Sequence, residues 1–277
     1  MTVDEKYKAL QGILRSLREV VVAYSGGVDS TFLLRAAIEV LGAEHVLACI
    51  GVSPSLARSQ HDRAVQCARD MGAHLREVDV HEILDGKYAA NNPDRCFHCK
   101  SHLYQALWEV AHQVGFSAVV CGSNFDDRDD FRPGNQAAAA LGVGCPLMDA
   151  QMTKEDIRAL SREFGLATAD IPASPCLASR LSYGLHVTSA RLAQVERAEE
   201  LLRRLGFSEC RVRHHDTIAR IEVRPEDFAR GFSEPARSEI LTSVKDLGFK
   251  YVTIDLAGFR SGSLNEVLSD AEKRAHQ

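Results

Sequence analysis

The sequence has no apolar run close to the length of a membrane-spanning helix, no internal repeat and no low-complexity segment. It also has little positive charge, because 33 lysine and arginine residues stand against 38 aspartate and glutamate residues, for a formal net charge of -5. A net negative charge gives no support for broad electrostatic binding to nucleic acid. We therefore expect neither a membrane nor a nucleic acid among the partners of this protein.

The cysteines and histidines of the sequence show little of the spacing that is typical of metal sites. Among eight cysteines there is one CxxC pair, Cys96 and Cys99, with no second pair and no histidines at metal-ligand spacing. Residues 1–19 are charged and amphipathic, which is not typical of a secretory signal. Many cysteines without such a signal favour reduced thiols, so we expect a cytoplasmic protein.

The composition is that of a soluble globular protein, with 277 residues of which 45% are hydrophobic and 26% charged. Strand-like and helix-like segments alternate over residues 1–150, with strands predicted near 20–24, 45–52, 75–80 and 118–122. This alternation is typical of βαβ units. It predicts an α/β fold with a doubly wound parallel sheet that helices cover on both faces.

A change in composition marks the end of this first domain. Proline and small residues are concentrated near 170–182, and an αββαβ pattern follows. We predict a first domain over residues 1–170, a linker over 171–187 that carries Cys176, and a second domain over 188–277. The second domain is predicted to be a smaller α+β unit with an antiparallel sheet, for substrate binding or oligomerisation.

The most informative motif follows the first predicted strand. It is Ser25-Gly26-Gly27-Val28-Asp29-Ser30. Adjacent glycines let the backbone turn sharply and bring its amides close to an anion, and the following helix start adds further oriented amides. The segment has no lysine at the position that a Walker A loop requires. It therefore predicts a phosphate site for a nucleotide, and the alternative is a glycine-rich turn without a ligand.

Two further polar segments, residues 51–53 and 122–127, lie at predicted strand ends. The carboxyl ends of parallel strands meet at one edge of a sheet, and ligands bind there near the reversal of strand order. The three loops are therefore expected to line one cleft.

Three cysteines are candidates for chemistry. The CxxC of Cys96 and Cys99 is ambiguous between redox, zinc and iron–sulfur roles. Cys176 lies in a polar segment where Arg180 would favour its thiolate, and the alternative is a buried core thiol. Two cysteines of one loop and a distant third can ligate three irons of a 4Fe-4S cluster, which leaves the fourth iron open to an exogenous ligand.

Basic side chains follow in the second predicted domain. Arg211 and Arg213 alternate along a predicted strand, so both guanidinium groups are expected on one face, where they suit bidentate recognition of phosphate or carboxylate. The alternative is a solvated edge strand with surface ion pairs. Residues 258–263, which include Arg260, are a further candidate for an anion-binding loop.

These motifs together resemble one branch of the PP-loop ATP pyrophosphatase superfamily, the LarE family of sulfur transferases. The matching segments are spread over nearly the whole chain in the family's order: SGGVDS (25–30), RCFHCK (95–100), CGSNFDD (121–127), SPCLASR (174–180) and GFRSGSLN (258–265). The resemblance implies an enzyme that adenylates a pyridinium-3,5-biscarboxylate mononucleotide and converts its carboxylates to thiocarboxylates. This is a step towards the nickel-pincer nucleotide cofactor of lactate racemase.

The resemblance also implies roles for individual residues. ATP with Mg²⁺ is expected at the SGGVDS residues, with Asp29 as a candidate Mg²⁺ ligand, and at Ser53, Gly122, Asn124 and Asp127. The pyridinium nucleotide is expected to contact Ser179, Arg180, Arg211, Arg213 and Arg260. The family suggests a homo-oligomer, with a hexamer as the specific expectation, whereas the sequence does not name a sulfide source.

Two sulfur-transfer chemistries occur in the family, and the cysteines distinguish them. In one branch a lone cysteine at the position of Cys176 gives up its own sulfur and becomes dehydroalanine. In the other, three cysteines hold a 4Fe-4S cluster that carries a labile sulfide. With Cys96, Cys99 and Cys176 the sequence resembles the cluster branch, in which these three are metal ligands and Cys176 is the catalytic residue. Without a cluster, Cys176 would be the sacrificial donor.

Two other function classes fit part of the pattern. Another PP-loop enzyme, a thiolase or an amide-forming synthetase, would share SGGVDS. A thiolase usually adds a basic RNA-binding surface, however, and an amidotransferase needs ammonia delivery rather than three cysteines. A non-catalytic nucleotide or redox sensor would bind ATP and a cluster without turnover. Pyrophosphate release in the presence of ATP, Mg²⁺ and the pyridinium nucleotide would separate these classes.

Overall fold

The computed structural model of the chain describes residues 1–128, 133–172, 174–260 and 263–269. The helices in these residues are α1 (Val3–Leu17), α2 (Val28–Leu41), α3 (Arg58–Asp70), α4 (Gly86–Ala89), α5 (Arg95–Val114), α6 (Pro133–Ala140), α7 (Pro146–Asp149), α8 (Lys154–Glu163), α9 (Ser189–Arg204), α10 (Phe228–Phe232) and α11 (Ala236–Asp246). The strands are β1 (Val20–Ala23), β2 (Val46–Val52), β3 (His74–Asp79), β4 (Val119–Cys121), β5 (Cys210–His215), β6 (Ile218–Val223) and β7 (Tyr251–Ile254). None of these helices is both long and apolar enough to cross a membrane.

The chain divides into two compact units. Residues 1–82 and 94–174 belong to the first unit, and residues 83–93 join the described residues from Pro175 onward in the second unit. The longer segment of the second unit therefore begins at Pro175, inside the predicted linker of residues 171–187. Its inclusion of residues 83–93 has no counterpart in the sequence pattern, which places them with the first domain.

The first unit contains a four-stranded parallel sheet in the order β3-β2-β1-β4. Val21 of β1 pairs with Leu47 of β2 on one side and with Val119 of β4 on the other. The chain runs outward from β1 through β2 to β3 and then returns to the opposite side of β1 as β4. The reversal of strand order thus lies between β1 and β4, where open α/β sheets bind ligands. The predicted α/β class and parallel sheet are confirmed.

Side chains of β1 alternate between two apolar cores on opposite faces of the sheet. Val20 and Val22 pack with Phe32 of α2 in one core, and Val21 packs with Leu107 of α5 in the other. All five side chains are fully buried. Burial on both faces is typical of a parallel sheet that helices cover, and it explains why β1 is a continuous apolar run in the sequence.

Capping residues explain where two of the flanking helices begin. Thr2 Oγ1 accepts a hydrogen bond from Glu5 N, and the Glu5 carboxylate accepts one from Thr2 N, at the start of α1. Thr153 and Asp156 form the same reciprocal pair at the start of α8. Each pair satisfies backbone amides that have no partner within the helix. The cap at Thr153 makes Lys154 the first residue of α8.

The second unit contains a three-stranded sheet in the order β5-β6-β7. β5 and β6 are antiparallel, whereas β7 pairs parallel to β6. The prediction of an antiparallel sheet is therefore wrong for β7. The connection from β6 to β7 contains α10 and α11, and a helical crossover returns the chain in the parallel direction. The core of this unit includes Leu202, Val212, Ile221 and Val244.

Buried His214 is expected to make the second unit sensitive to mild acid. Its Nε2 lies 2.9 Å from Gln194 Oε1, and burial, together with the charge of Arg191, lowers the pKa of His214 from 6.5 to about 4. Between these two values the unfolded chain binds more protons than the folded chain, so the free energy of unfolding should fall as the pH falls through this window.

Denaturant unfolding at about pH 7, 6 and 5 measures this effect, because carboxylates titrate mostly below that range. His214→Gln, which cannot take up a proton, should show a flatter dependence of the unfolding free energy on pH. An identical pH dependence in the variant and the wild type would contradict the prediction.

Candidate active site

Residues 25–30, the nucleotide loop, connect β1 to the first turn of α2. Gly26 has a φ of 70°, a left-handed conformation that favours glycine. A Cβ atom at Gly26 would overlap the side chain of Ala64 and lie 2.9 Å from Ala64 Cα. Gly27 is the N-cap residue of α2, and in the described structure no side-chain hydrogen bond caps α2 at this residue. Such a helix start can bind a phosphate through its amides.

Hydroxyl groups hold the nucleotide loop in a compact turn. Ser30 Oγ accepts a hydrogen bond from Ser25 N at 3.2 Å, donates to Gly27 O at 3.2 Å and lies 3.1 Å from Ser25 Oγ. Ser30 is buried, whereas Ser25 and Gly27 are exposed. Val28 packs in the apolar core, so any ligand contact that it makes is through its backbone.

The loop after β4 packs directly on the nucleotide loop. Gly122 lies so close to α2 that a Cβ atom there would be 2.9 Å from the Ser30 nitrogen. The Nδ2 atom of buried Asn124 lies 3.5 Å from Asp29 Oδ1, and Asp127 accepts a hydrogen bond from Asn124 N at 3.0 Å. The structure therefore brings two of the three predicted loops together at the reversal of strand order.

Lys154 is a candidate functional residue that the sequence analysis did not find. Its Nζ lies 2.5 Å from Asp29 Oδ2, and the two side chains are 34% and 22% exposed. No motif marks Lys154, which is separated by more than one hundred positions from Asp29 and reaches it only because α8 begins beside α2. A lysine at this place supplies positive charge where a nucleotide phosphate would lie.

Ser53, at the end of β2, is held by a buried carboxylate. Ser53 Oγ and Ser55 Oγ donate to the same oxygen of Glu82, at 2.6 and 2.8 Å. Glu82 is 1% exposed, and its other oxygen has no hydrogen-bond partner among the described residues. Ser53 thus contacts Glu82 and Ser55 of its own unit, and a role for Ser53 in binding ATP stays a prediction.

The CxxC cysteines lie at the start of α5. Cys96 is exposed and Cys99 is half-buried, and their separation of three residues places them on one side of the helix. The positive end of a helix stabilises thiolates, which are the form of cysteine that binds metals. Among the residues that the structure describes, no three His, Cys, Asp or Glu side chains form a group that could hold a metal ion.

Cys176 lies in the second unit, at the start of a short 3₁₀ helix (Leu177–Arg180), and is half-buried. Its carbonyl oxygen accepts hydrogen bonds from Ser179 Oγ at 2.7 Å and from Arg180 Nη1 at 3.1 Å. Arg180 is 2% exposed and pairs with buried Glu199 at 2.9 Å. Burial raises the pKa of the Glu199 carboxyl, but the charge and hydrogen bond of Arg180 have the larger effect. The pKa of Glu199 therefore lies below its usual value. Arg180 thus fixes the turn that carries Cys176.

The arginines predicted to bind substrate have internal partners. Arg213 is 6% exposed and donates to Glu222 at 2.8 Å and to Ser179 O at 3.0 Å. The guanidinium carbon of Arg211 lies 5.1 Å from the centre of the Phe259 ring. Arg260 is bound to Glu266 at 2.7 Å. The structure brings Arg213 and Ser179 into contact and places Arg213 in an ion pair inside the second unit.

Known proteins resemble the chain over nearly its whole length. Residues 7–101 match the sequence profile of the NAD synthase family. The pyridinium-3,5-bisthiocarboxylic acid mononucleotide synthase of Lactiplantibacillus plantarum is 37% identical over 271 residues, which cover 98% of this chain and 98% of that protein. The chain belongs to the LarE family. An uncharacterised protein of Synechocystis sp. is 39% identical over 96% of this chain and 99% of its own length.

The LarE-family resemblance that the motifs predict is therefore confirmed. A further uncharacterised protein, from Methanocaldococcus jannaschii, is 29% identical over 88% of this chain. The NAD synthase match covers the nucleotide loop and the CxxC segment but ends before Cys176. The protein is thus an ATP-dependent enzyme whose first unit contains the PP-loop, and whose second unit carries the family's Cys176 segment.

The two glycines of the LarE-family nucleotide loop are expected to differ in how they tolerate alanine. At Gly26, a Cβ atom would overlap Ala64 in a left-handed conformation, so Gly26→Ala should lower the free energy of unfolding by about 3 kcal/mol. At Gly27 the nearest atom to a Cβ would be Ser25 Oγ at 3.5 Å, so Gly27→Ala should cost less than about 1 kcal/mol. Denaturant unfolding of both variants measures the difference, and equal values would contradict it.

Proposed function

We propose that the protein is an ATP-dependent sulfur transferase that converts the carboxylates of a pyridinium-3,5-biscarboxylate mononucleotide to thiocarboxylates. The product would serve the biosynthesis of the nickel-pincer nucleotide of lactate racemase. The observation that carries this proposal is the 37% identity, over 98% of the chain, to a synthase named for the bisthiocarboxylic product. The geometry of the nucleotide loop supports the ATP-dependent step.

The nucleotide loop would activate the substrate carboxylate. A carboxylate resists attack by sulfur because its oxygen leaves poorly and its charge repels nucleophiles. Transfer of AMP from ATP to that oxygen removes the charge, creates a leaving group and releases pyrophosphate. The amides at the start of α2 and the ammonium group of Lys154 would hold the triphosphate and stabilise the charge that accumulates on it.

Asp29 fits the proposed Mg²⁺ site. Its carboxylate is partly exposed and offers the oxygen ligands that Mg²⁺ prefers, and bound Mg²⁺ would neutralise phosphate charge. The same carboxylate holds Lys154 at 2.5 Å and has Asn124 Nδ2 at 3.5 Å. Cation binding at Asp29 would therefore compete with Lys154 and free its ammonium group for a phosphate.

Cys96, Cys99 and Cys176 are the proposed ligands of a 4Fe-4S cluster, which would supply a labile sulfide when bound. The donor chemistry fits, since all three are free cysteines and two of them lie one turn apart at a helix start. Cys176 lies on a turn that Arg180 and Ser179 hold in place. In the alternative chemistry, Cys176 alone would give up its sulfur to the adenylated carboxylate.

Arg211 offers a direct test of the proposed substrate contacts. Arg211→Ala should weaken binding of the pyridinium nucleotide by one to two orders of magnitude, because a lost charge-assisted contact costs about 2–3 kcal/mol, and should leave ATP affinity unchanged. Arg213→Ala should weaken substrate binding as well and, because it breaks the buried pair with Glu222, should also lower stability. Arg237→Ala is the matched control, because Arg237 is an exposed arginine of the same unit that pairs with Glu234, and it should bind both nucleotides like the wild type. Calorimetric titration measures both, and normal substrate binding by Arg211→Ala would contradict the assignment.

The proposal includes the assembly and location of the protein. We expect a homo-oligomer, a hexamer in particular, and sedimentation equilibrium measures it. All eight cysteines are free thiols in the structure, which supports a reducing, cytoplasmic location. The sulfide source is a separate question that the chain itself does not answer.

One assay tests the function as a whole. Anaerobically purified protein is incubated with ATP, Mg²⁺ and the pyridinium dicarboxylate nucleotide, and pyrophosphate and the mass of the nucleotide are followed. Release of pyrophosphate with replacement of oxygen by sulfur in the nucleotide is the expected result. Pyrophosphate release only with another acceptor would indicate a different PP-loop enzyme, and binding of ATP without turnover would indicate a sensor.

A further inference from the structure

Two cysteines outside the proposed sulfur-transfer set lie side by side in the first unit. The sulfur atoms of Cys121 and Cys145 are 3.5 Å apart. Cys121 is the last residue of β4, and Cys145 is the N-cap residue of α7. Cys121 is 4% exposed and Cys145 is half-buried, so one member of the pair can be reached from solvent.

The residues beside this cysteine pair are paired like those of neighbouring parallel strands. Val120 forms a parallel bridge with Gly144, and Cys121 N donates to Gly144 O at 2.9 Å, so Cys121 and Cys145 follow a pair of directly opposed residues. Neighbouring strands lie about 4.8 Å apart, within the range of about 4.4–6.8 Å found between Cα atoms of a disulfide. This pairing is compatible with a disulfide, and formation of the bond requires the sulfur atoms to approach each other.

The hydrogen bonds of the pair favour this chemistry. Hydrogen bonds from Cys145 Sγ and from the Ser123 hydroxyl, each at 3.5 Å from Cys121 Sγ, outweigh the effect of burial and lower the pKa of the Cys121 thiol below its usual value. The hydrogen bond to Cys121, together with burial, raises the pKa of the Cys145 thiol. A thiolate next to a thiol is the arrangement in which disulfide exchange proceeds at neutral pH.

The position of Cys121 links its oxidation to the nucleotide loop. The next residue is Gly122, which packs so tightly on α2 that a Cβ atom would lie 2.9 Å from Ser30 N. Disulfide formation would bring the sulfur atoms from 3.5 Å to about 2.0 Å. Because Gly122 and the first turn of α2 are in tight contact, any part of this approach that displaces the backbone at Cys121 would be transmitted to α2.

We propose that Cys121 and Cys145 are a reversible oxidation site whose disulfide weakens nucleotide binding at residues 25–30; the nucleotide part rests on the proposed function. With an oxidised low-molecular-weight disulfide as the oxidant, Cys145 transfers its proton to the neighbouring Cys121 thiolate, and the resulting Cys145 thiolate attacks one sulfur of the oxidant and releases one thiol. Cys121 then attacks the sulfur of Cys145 in the mixed disulfide and releases the second thiol. The two cysteines lose two electrons and two protons in total, which the released thiols carry.

The experiment compares reduced and oxidised full-length protein. Wild type is treated with oxidised glutathione, digested and mapped by mass spectrometry, and the affinity for a non-hydrolysable ATP analogue with Mg²⁺ is measured by calorimetry before and after. We expect a peptide cross-link between Cys121 and Cys145 and an affinity lower by at least about tenfold, because small displacements of a binding loop have effects of this size. Dithiothreitol should restore the affinity.

Cys145→Ala should bind the analogue normally and lose its response to oxidation. Cys67→Ala is the matched control, a half-buried cysteine on α3, and should respond like the wild type. Absence of the cross-link in wild type, or a cross-link without a change in affinity, would overturn the proposal. If reduced wild type does not bind the analogue, the proposed function fails instead, and the cross-link is still read independently.

Discussion

Asp29→Ala is expected to reduce pyrophosphate release with the pyridinium nucleotide by about two to three orders of magnitude, the usual effect of removing one group that stabilises transition-state charge. Asp29 lies in the first turn of α2, in contact with Lys154 and Asn124, and is the proposed Mg²⁺ ligand. Its loss would remove the cation site and leave Lys154 without its partner. Initial rates at saturating ATP and several Mg²⁺ concentrations measure the effect.

Glu155→Ala is the control for this experiment, because Glu155 is an exposed carboxylate next to Lys154 on α8. It should retain the wild-type rate. Circular dichroism and a thermal melt establish that both variants are folded. Pyrophosphate release at the wild-type rate by folded Asp29→Ala protein would rule out the assignment of the nucleotide loop.

Cys176→Ala is expected to abolish sulfur transfer while pyrophosphate release continues. In both proposed chemistries Cys176 is required, as a cluster ligand or as the sulfur donor, but it has no part in adenylation. Mass spectrometry of the nucleotide measures thiocarboxylate formation, and a coupled assay measures pyrophosphate in the same samples. Thiocarboxylate formation by this variant would remove Cys176 from the mechanism.

The other cysteines then separate the two chemistries. Anaerobic wild type should contain about four irons per chain, and Cys96→Ala, Cys99→Ala and Cys176→Ala should each deplete them. Cys145→Ala should not deplete iron. Cys176 should keep its full mass after turnover; loss of the mass of one hydrogen sulfide in iron-free protein would show that this cysteine is sacrificed.

The strands and the nucleotide loop could be predicted because their signals are local. β1 is a continuous apolar run followed by two glycines, and burial on both faces of a parallel sheet produces that run. The direction of β7 could not be predicted, since it depends on how α10 and α11 cross over the second sheet rather than on the residues of the strand. Residues 83–93 join the second unit for a similar reason, as their contacts are distant in sequence.

Site residues were predictable where a motif carries them and not where tertiary contacts do. Lys154 contacts Asp29 across 125 positions, so no spacing rule would find it. The sequence also cannot show whether an arginine faces a ligand or an internal carboxylate. The structure gives Arg180 and Arg213 the buried partners Glu199 and Glu222, and substrate binding by these arginines stays a prediction.

The contact between Gly26 and Ala64 has a consequence for genetics. A side chain larger than alanine at position 64 would press on the nucleotide loop from α3 although the SGGVDS motif itself is intact. A selection for loss of function should therefore recover single substitutions at position 64 as well as single substitutions in the SGGVDS motif. Because glycine is already the smallest residue, no substitution at position 26 can relieve such an allele, and revertants should instead restore a small side chain at position 64.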